Sequence, residues 1–139
     1  MRSPTDPQRR RALADRAATL EPDAWVLGWG LDPNVAPGRG LTSADIDDAV
    51  GGRPALIRLF DAHSALASTT ALRIAGVDGP RVFDQKSAVV CDADGRPTGF
   101  LLEAAAIALV DGHVPTATDD EVADHVHDAL AAMARVGIT

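Results

Sequence analysis

The stretch LIRLFDAHSALASTTALRIAG, Leu56 to Gly76, decides the fold. In it an aliphatic run gives way, across the polar triplet Asp61-Ala62-His63, to a segment of Ala, Leu and hydroxyl residues. The run PALIRLF, Pro54 to Phe60, has the length and aliphatic content of a buried strand. Beyond the triplet, Ser64 stands where a helix cap is expected and Gly76 where a helix stops, and Leu66, Thr70 and Ile74 share a stripe at a spacing of four. The expectation over residues 54–76 is therefore strand, polar corner, helix. His63 then falls at the C-terminal end of a buried strand, where α/β folds gather functional groups. A hydrogen bond to Asp61 is sterically open if the corner bends, and a helix start at Ser64 offers N–H donors to an anion. Pattern alone leaves His63 divided between a functional and a structural role.

Toward the N-terminus, residues 1–20 are expected to be helical, with the amphipathic pattern beginning near Pro7 and Arg9, Arg10 and Arg11 on a solvated face. EPD breaks that helix, and AWVLGWG over 24–30 reads as a short buried strand. Trp25 and Trp29 flank a glycine there and are expected as core or pocket wall. LDPNVAPGRG is an irregular loop by its Pro, Gly and Asn content. TSADIDDAVGG signals a short helix capped at Thr42 and ended by Gly51 and Gly52.

Toward the C-terminus, residues 87–110 read as a hairpin leading into a helix. Ser87 to Cys91 and Thr98 to Leu101 face each other across DADGRP, and an Ala-rich helix starts at Leu102. A helix over 118–137 opens on a capping box of Thr118 and Glu121, carries the stripe Val122, Val126, Ala129 and Met133, and ends at Gly137. The closing pair Ile138-Thr139 looks like the first residues of a further strand, so the unit is expected to be incomplete.

A chain of 139 residues with 46% hydrophobic content suits one globular domain or a piece of a larger one, and one of this size hides roughly 70% of its extended surface on folding without needing a staple. Cys91 is the lone cysteine, which excludes an internal disulfide and favours a reducing compartment. A formal charge of -7 with scattered arginines argues against a nucleic-acid groove. No apolar run approaches the roughly 20 residues of a spanning helix, and Met1 to Arg11 lacks the apolar core of a signal peptide. A cytoplasmic protein without membrane or nucleic-acid partners is expected.

Among candidate chemical groups, His125 and His127 form an H-x-H that would grip a metal on a strand. On a helix two residues turn roughly 200°, so their rings diverge. His113 lies in a loop with no ligand-spaced partner. Glu103 opens an otherwise apolar helix, either as a first-turn acid favoured by the helix dipole or as a ligand or base pointing into a cleft. DADG lacks the later acids of a calcium loop and reads as a turn. The glycines of GWGLDP precede no helix, Ser64 and Ser68 lack a nucleophile elbow, and Cys91 has no visible base.

Taken in order, AWVLGWGLDP, RPALIRLFDAHSALASTTALRIAGV, CDADGRPTGFLLEAAAIALV and MARVGIT resemble the amidohydrolase superfamily, in its YtcJ-like long-insert branch, from about Ala24 to Thr139. The resemblance implies a metal-dependent hydrolase of amide-like C–N bonds on a distorted (β/α)8 barrel, using a divalent ion, commonly zinc, to acidify a water. Residues 1–139 would then be mainly the insert between the first barrel strand and the next. On this carry-over His63, with Asp61 and Trp29, lines the pocket of a small-molecule substrate, and Glu103 lies near the metal as ligand or orienter. Ala62 replaces the usual glycine, and Ser68-Thr69 stand where Asn-Ser is common, which implies altered polar contacts in the pocket. The family's strand-borne H-x-H lies upstream of the matched region and its other ligands downstream, so no metal ligand is assigned here with certainty. The chain alone is expected to be inactive and not to bind zinc tightly. Homo-oligomerisation is left open. The rival reading is a non-catalytic α/β binding or assembly module derived from such an enzyme.

Overall fold

The computed structural model describes residues 6–36 and 38–138. In chain order the elements are α1 (Asp6–Ala18), β1 (Val26–Leu31), α2 (Ala44–Asp47), β2 (Ala55–Leu59), β3 (Ser64–Ala67), α3 (Thr69–Ile74), β4 (Ala88–Cys91), β5 (Pro97–Leu102), α4 (Glu103–Asp111) and α5 (Asp119–Arg135). The strands form one sheet in the order β1-β2-β3-β5-β4. Only β1 and β2 run parallel; the other three pairings are antiparallel. The class is mixed α/β, and one parallel pair is the part of this sheet that shares the pairing of a (β/α)8 barrel.

The segment 54–76 departs from expectation. Its first strand is β2, but Ser64–Ala67 returns antiparallel as β3, pairing Leu56 with Ala67, Ile57 with Leu66 and Arg58 with Ala65. The polar triplet is thus a hairpin turn, and Ser64 is a strand residue instead of a helix cap. The turn is closed by Asp61, whose carboxylate accepts from the N–H groups of His63 (2.9 Å) and Ser64 (3.0 Å) and from Ser64 Oγ (2.9 Å). Ala62 takes the left-handed φ of 62° that lets the chain reverse. β3 is flanked on both edges, by β2 and β5, and all four of its residues are buried. A helix there would leave the backbone groups of two strands unpaired.

The helix begins one strand later. Ser68 is its cap: the buried hydroxyl accepts from Ala71 N (3.2 Å) and Ala55 N (2.9 Å) and donates to Arg53 O (3.0 Å). Asp47 accepts from Thr69 N and Oγ1 at 2.9 and 2.7 Å. Ser68 and Thr69 therefore knit α3 to the start of β2 and the end of α2, which leaves them structural work where altered pocket contacts were expected. The proposed stripe dissolves, because Leu66 belongs to the sheet and Ile74 is exposed.

Two cores sandwich the sheet. On one face Val26, Ile57, Leu59 and Leu66 pack with Ile46, Val50 and the Ala17 end of α1. Arg9 is only 8% exposed, against the expectation of a solvated arginine cluster. It lies four and eight residues before Leu13 and Ala17, so the inward face of α1 carries its aliphatic stem. On the other face Leu56, Ala65, Ala67 and Leu101 pack under α3 and α4, through Ala71, Leu72, Ala106, Ile107 and Val110.

The hairpin β4–β5 turns on Asp92, whose Oδ1 accepts from Asp94 N and Arg96 N, both at 2.9 Å. Gly99 in β5 has φ +97° and passes so close to the loop before α2 that an added Cβ would lie 2.2 Å from Ser43 Oγ and 2.7 Å from Ala67 O. Ser43 uses that approach to donate its N–H to Thr98 O (2.7 Å) and its hydroxyl to Ala67 O (2.8 Å). The same loop is clamped by Asp45, which takes both Arg39 Nη atoms and the N–H of Thr42 (2.8 Å). The Arg39 hydrogen bonds hold the Asp45 carboxyl down at about 2, against the opposing pull of burial.

α5 opens on a complete capping box of Thr118 and Glu121. Its apolar residues find no cover among the described residues: Val122, Val126, Leu130 and Met133 are all exposed. Ile138 is exposed and not in a strand, and Thr139, like residues 1–5 of the expected first helix, lies outside the described residues. Among the described residues no helix is long and apolar enough to cross a membrane.

Two variants test this packing. Gly99→Ala should cost about 2–4 kcal/mol in denaturant unfolding, from left-handed strain plus overpacking; an unchanged midpoint would contradict the close approach. Asp45 has a depressed folded pKa, so its contribution is in full above the unfolded value of 3.8 and is lost as pH falls from there toward about 2. Asp45→Asn should therefore remove about 2 kcal/mol at pH 7 and flatten the acid limb of stability between pH 4 and 2.

Candidate functional site

β3 and β5 bring the two sequence candidates together. Ser64 is opposite Leu102 and Ala65 opposite Leu101, so the residues at the rim, His63 and Glu103, meet at the end of the ladder. Glu103 N donates to His63 O (2.7 Å), which extends the pairing by one step. Their side chains close the contact a second time: His63 Nδ1 lies 3.2 Å from Glu103 Oε2. A carboxylate only accepts, so the matching neutral tautomer carries its proton on Nδ1 and leaves Nε2 as a free acceptor. Both side chains are open to solvent, His63 at 71% and Glu103 at 48%.

The backbone at this corner is strained. Ala62 and Glu103 are the two non-glycine residues with positive φ among those described, at 62° and 66°. Ala62 directly precedes His63, and Glu103 is itself a member of the pair. Left-handed alanine and glutamate cost of order 1 kcal/mol apiece, and strain of this kind clusters at functional sites. Glu103 is thus more than a first-turn acid: it is the hinge residue between β5 and α4, and its carboxylate is spent on His63.

Asp61 does not bond the His63 ring. Its oxygens are turned to the backbone and hydroxyl of residues 63 and 64. Desolvation pushes the pKa of this exposed side chain upward, but hydrogen bonds from His63 N, Ser64 Oγ and Ser64 N, with a smaller electrostatic effect of His63, hold it below the usual carboxylate value.

Trp29 is in register with Arg58, and Arg58 with Ala65, so all three share a sheet face. His63 precedes Ala65 by two residues, in the turn just before β3. Trp29 is 72% exposed, a surface residue within the described chain and not core. Trp25 packs partly buried against the second core. Arg58, which sequence reading passed over, sits between Trp29 and Ala65 and pairs with Asp111 of α4 at 3.2 Å. The available signal was one cation inside the aliphatic run ALIRL. A largely apolar cavity of about 600 Å³ lies along β1, between α1 and the strand, and Trp29 is among the residues that line it.

The remaining histidines stand apart: His113 is exposed in the loop after α4, and His125 and His127 are exposed on α5. Among the described residues no group of three or more His, Cys, Asp or Glu side chains converges as a cation site. His63 and Glu103 are two donors, whereas zinc takes four ligands, or three and a water. The described residues do not by themselves fit a catalytic zinc ion.

The model of a family described as "Amidohydrolase family" matches residues 3–139. Over 97 residues, 68% of this chain and 18% of the relative, the sequence is 30% identical to "Putative amidohydrolase YtcJ" of Bacillus subtilis (strain 168). It is 28% identical over 95 residues, 68% of this chain and 16% of the relative, to "Protein LONG AFTER FAR-RED 3" of Arabidopsis thaliana. The chain thus spans less than a fifth of the length of these curated relatives. No solved structure matches significantly.

Strain at the corner is measurable. Ala62→Gly relieves a left-handed alanine at the expense of unfolded-state entropy, and should stabilise the protein by about 0.5–1 kcal/mol in thermal or urea unfolding. A loss of stability would show that Ala62 is not left-handed.

Proposed function

The chain belongs to the amidohydrolase family, and from that premise we propose that it forms one wall of the substrate cavity in a metal-dependent hydrolase of amide-like C–N bonds on a (β/α)8 scaffold. The observation that carries this reading is the His63–Glu103 contact at 3.2 Å, between residues forty apart in sequence. It is made at an exposed rim and held by a strained backbone. An imidazole whose Nδ1–H is fixed by a carboxylate presents Nε2 as an oriented acceptor, the arrangement from which a histidine binds a substrate donor or moves a proton.

In this reading His63 and, two strands away in β1, Trp29 contact the substrate, and Glu103 orients His63. A divalent ion, zinc by family habit, would be held by side chains outside the described residues and would supply an acidified water. The extent of the relatives supports this division, since most of their length lies beyond what this chain matches. A small-molecule substrate fits the charge of -7, and the lone Cys91 fits a cytoplasmic setting.

The test uses the complete gene product with 4-nitroacetanilide and N-acetylated amino acids as probes. Hydrolysis should be lost on chelation and restored by Zn²⁺. His63→Ala and Glu103→Gln should each lower kcat/KM by about 10- to 100-fold with Tm within about 3 °C of the parent. Absence of metal-dependent hydrolysis of every amide probe, or parental kinetics in both variants, would overturn the reading.

A further inference from the structure

The hairpin turn that precedes His63 is built around a carboxylate that touches neither the ring nor the Glu103 side chain. Asp61 Oδ1 accepts from two successive backbone N–H groups, His63 (2.9 Å) and Ser64 (3.0 Å), and Oδ2 from Ser64 Oγ (2.9 Å). Those bonds set the peptide between residues 63 and 64. The carbonyl oxygen of that peptide, His63 O, accepts from Glu103 N at 2.7 Å. Glu103 adopts φ +66° at this point, and its carboxylate returns to His63 Nδ1. The contacts form a closed circuit: Asp61 carboxylate, His63–Ser64 backbone, Glu103 backbone, Glu103 carboxylate, His63 ring.

We infer that Asp61 is a positioning residue for the His63–Glu103 pair, acting through the peptide backbone of the turn and not as a substrate contact. The inference rests on the functional reading of that pair. It assigns Asp61 a different part from the one the family resemblance implies, since its acceptor sites are already directed into the turn. Hydrogen bonding also holds its carboxyl below the usual range, as expected of an acceptor kept in its ionised form. Without Asp61, the bond from Ala62 N to Leu59 O (3.2 Å) is left to hold the turn without the carboxylate's three, and the turn relaxes toward conformers in which His63 O no longer meets Glu103 N.

The effect is readable without turnover, by NMR of the protein labelled with ¹⁵N in backbone and histidine rings. Asp61→Ala should speed exchange of the Glu103 amide at least 10-fold and move the His63 ring nitrogen resonances. Amides of Leu66 and Leu101 should keep their parental exchange, which separates a local effect from general unfolding. Asp61→Asn, which retains Oδ1 as an acceptor, should restore most of the Glu103 protection. Glu103→Gln should move the His63 ring resonances while the amide of residue 103 stays protected.

With the amide probes, kcat should fall in Asp61→Ala with KM changed less than two-fold, and Asp61→Ala/His63→Ala should be no slower than His63→Ala alone. Parental Glu103 exchange and His63 shifts in Asp61→Ala would overturn the inference, as would additive losses in the double variant. Parental kinetics in His63→Ala would instead remove the functional reading of the pair, whatever the exchange data give.

Discussion

The pairing of β3 between β2 and β5 is the constraint from which the rest follows. Four residues, Ser64–Ala67, supply the backbone partners for two longer strands and lie wholly buried between them. Because β3 runs back along β2, the turn before it comes to the same rim at which β5 passes into α4. His63 and Glu103 meet there for topological reasons, and their side-chain contact adds to a ladder already in place.

The long motif from Cys91 to Val110 looks at first like a run of functional residues. Most of it is geometry. Asp92 and the left-handed Gly95 close a hairpin, and Gly99 lets the loop carrying Ser43 approach β5. Ala106, Ile107 and Val110 fill the second core. Glu103 is the member that turns toward another chemical group, and it does so in a backbone conformation that most residues avoid. The division has a physical logic. A precise corner needs rigid surroundings, and the hydrogen bonds that fix the turns are local ones that a short sequence can encode.

Much of this was legible before the structure. Thr118 and Glu121 announce the start of α5, DADGRP announces the hairpin, and PALIRLF announces β2, because caps and turns act within a few residues. HSALA hides its strand for the opposite reason. Ala, Leu and Ser carry no β preference, and a strand buried on both faces lacks the alternation by which strands are recognised. Only its two neighbours, one of them more than thirty residues away, make it a strand. Glu103 and His63 were each visible as candidates, but their contact depends on that same long-range pairing. The exposures of Trp29 and of the α5 stripe escaped as well, since an apolar pattern says that a surface can be covered without saying by what.

Cross-strand NMR contacts over Ser64–Ala67 test the central claim most directly. The account predicts antiparallel nuclear Overhauser effects between Ala65 and Leu101 and between Leu56 and Ala67, with none of the three-residue contacts of a helix before Thr69. Helical contacts running continuously from Ser64 to Ile74, without those cross-strand effects, would contradict it and separate His63 from Glu103.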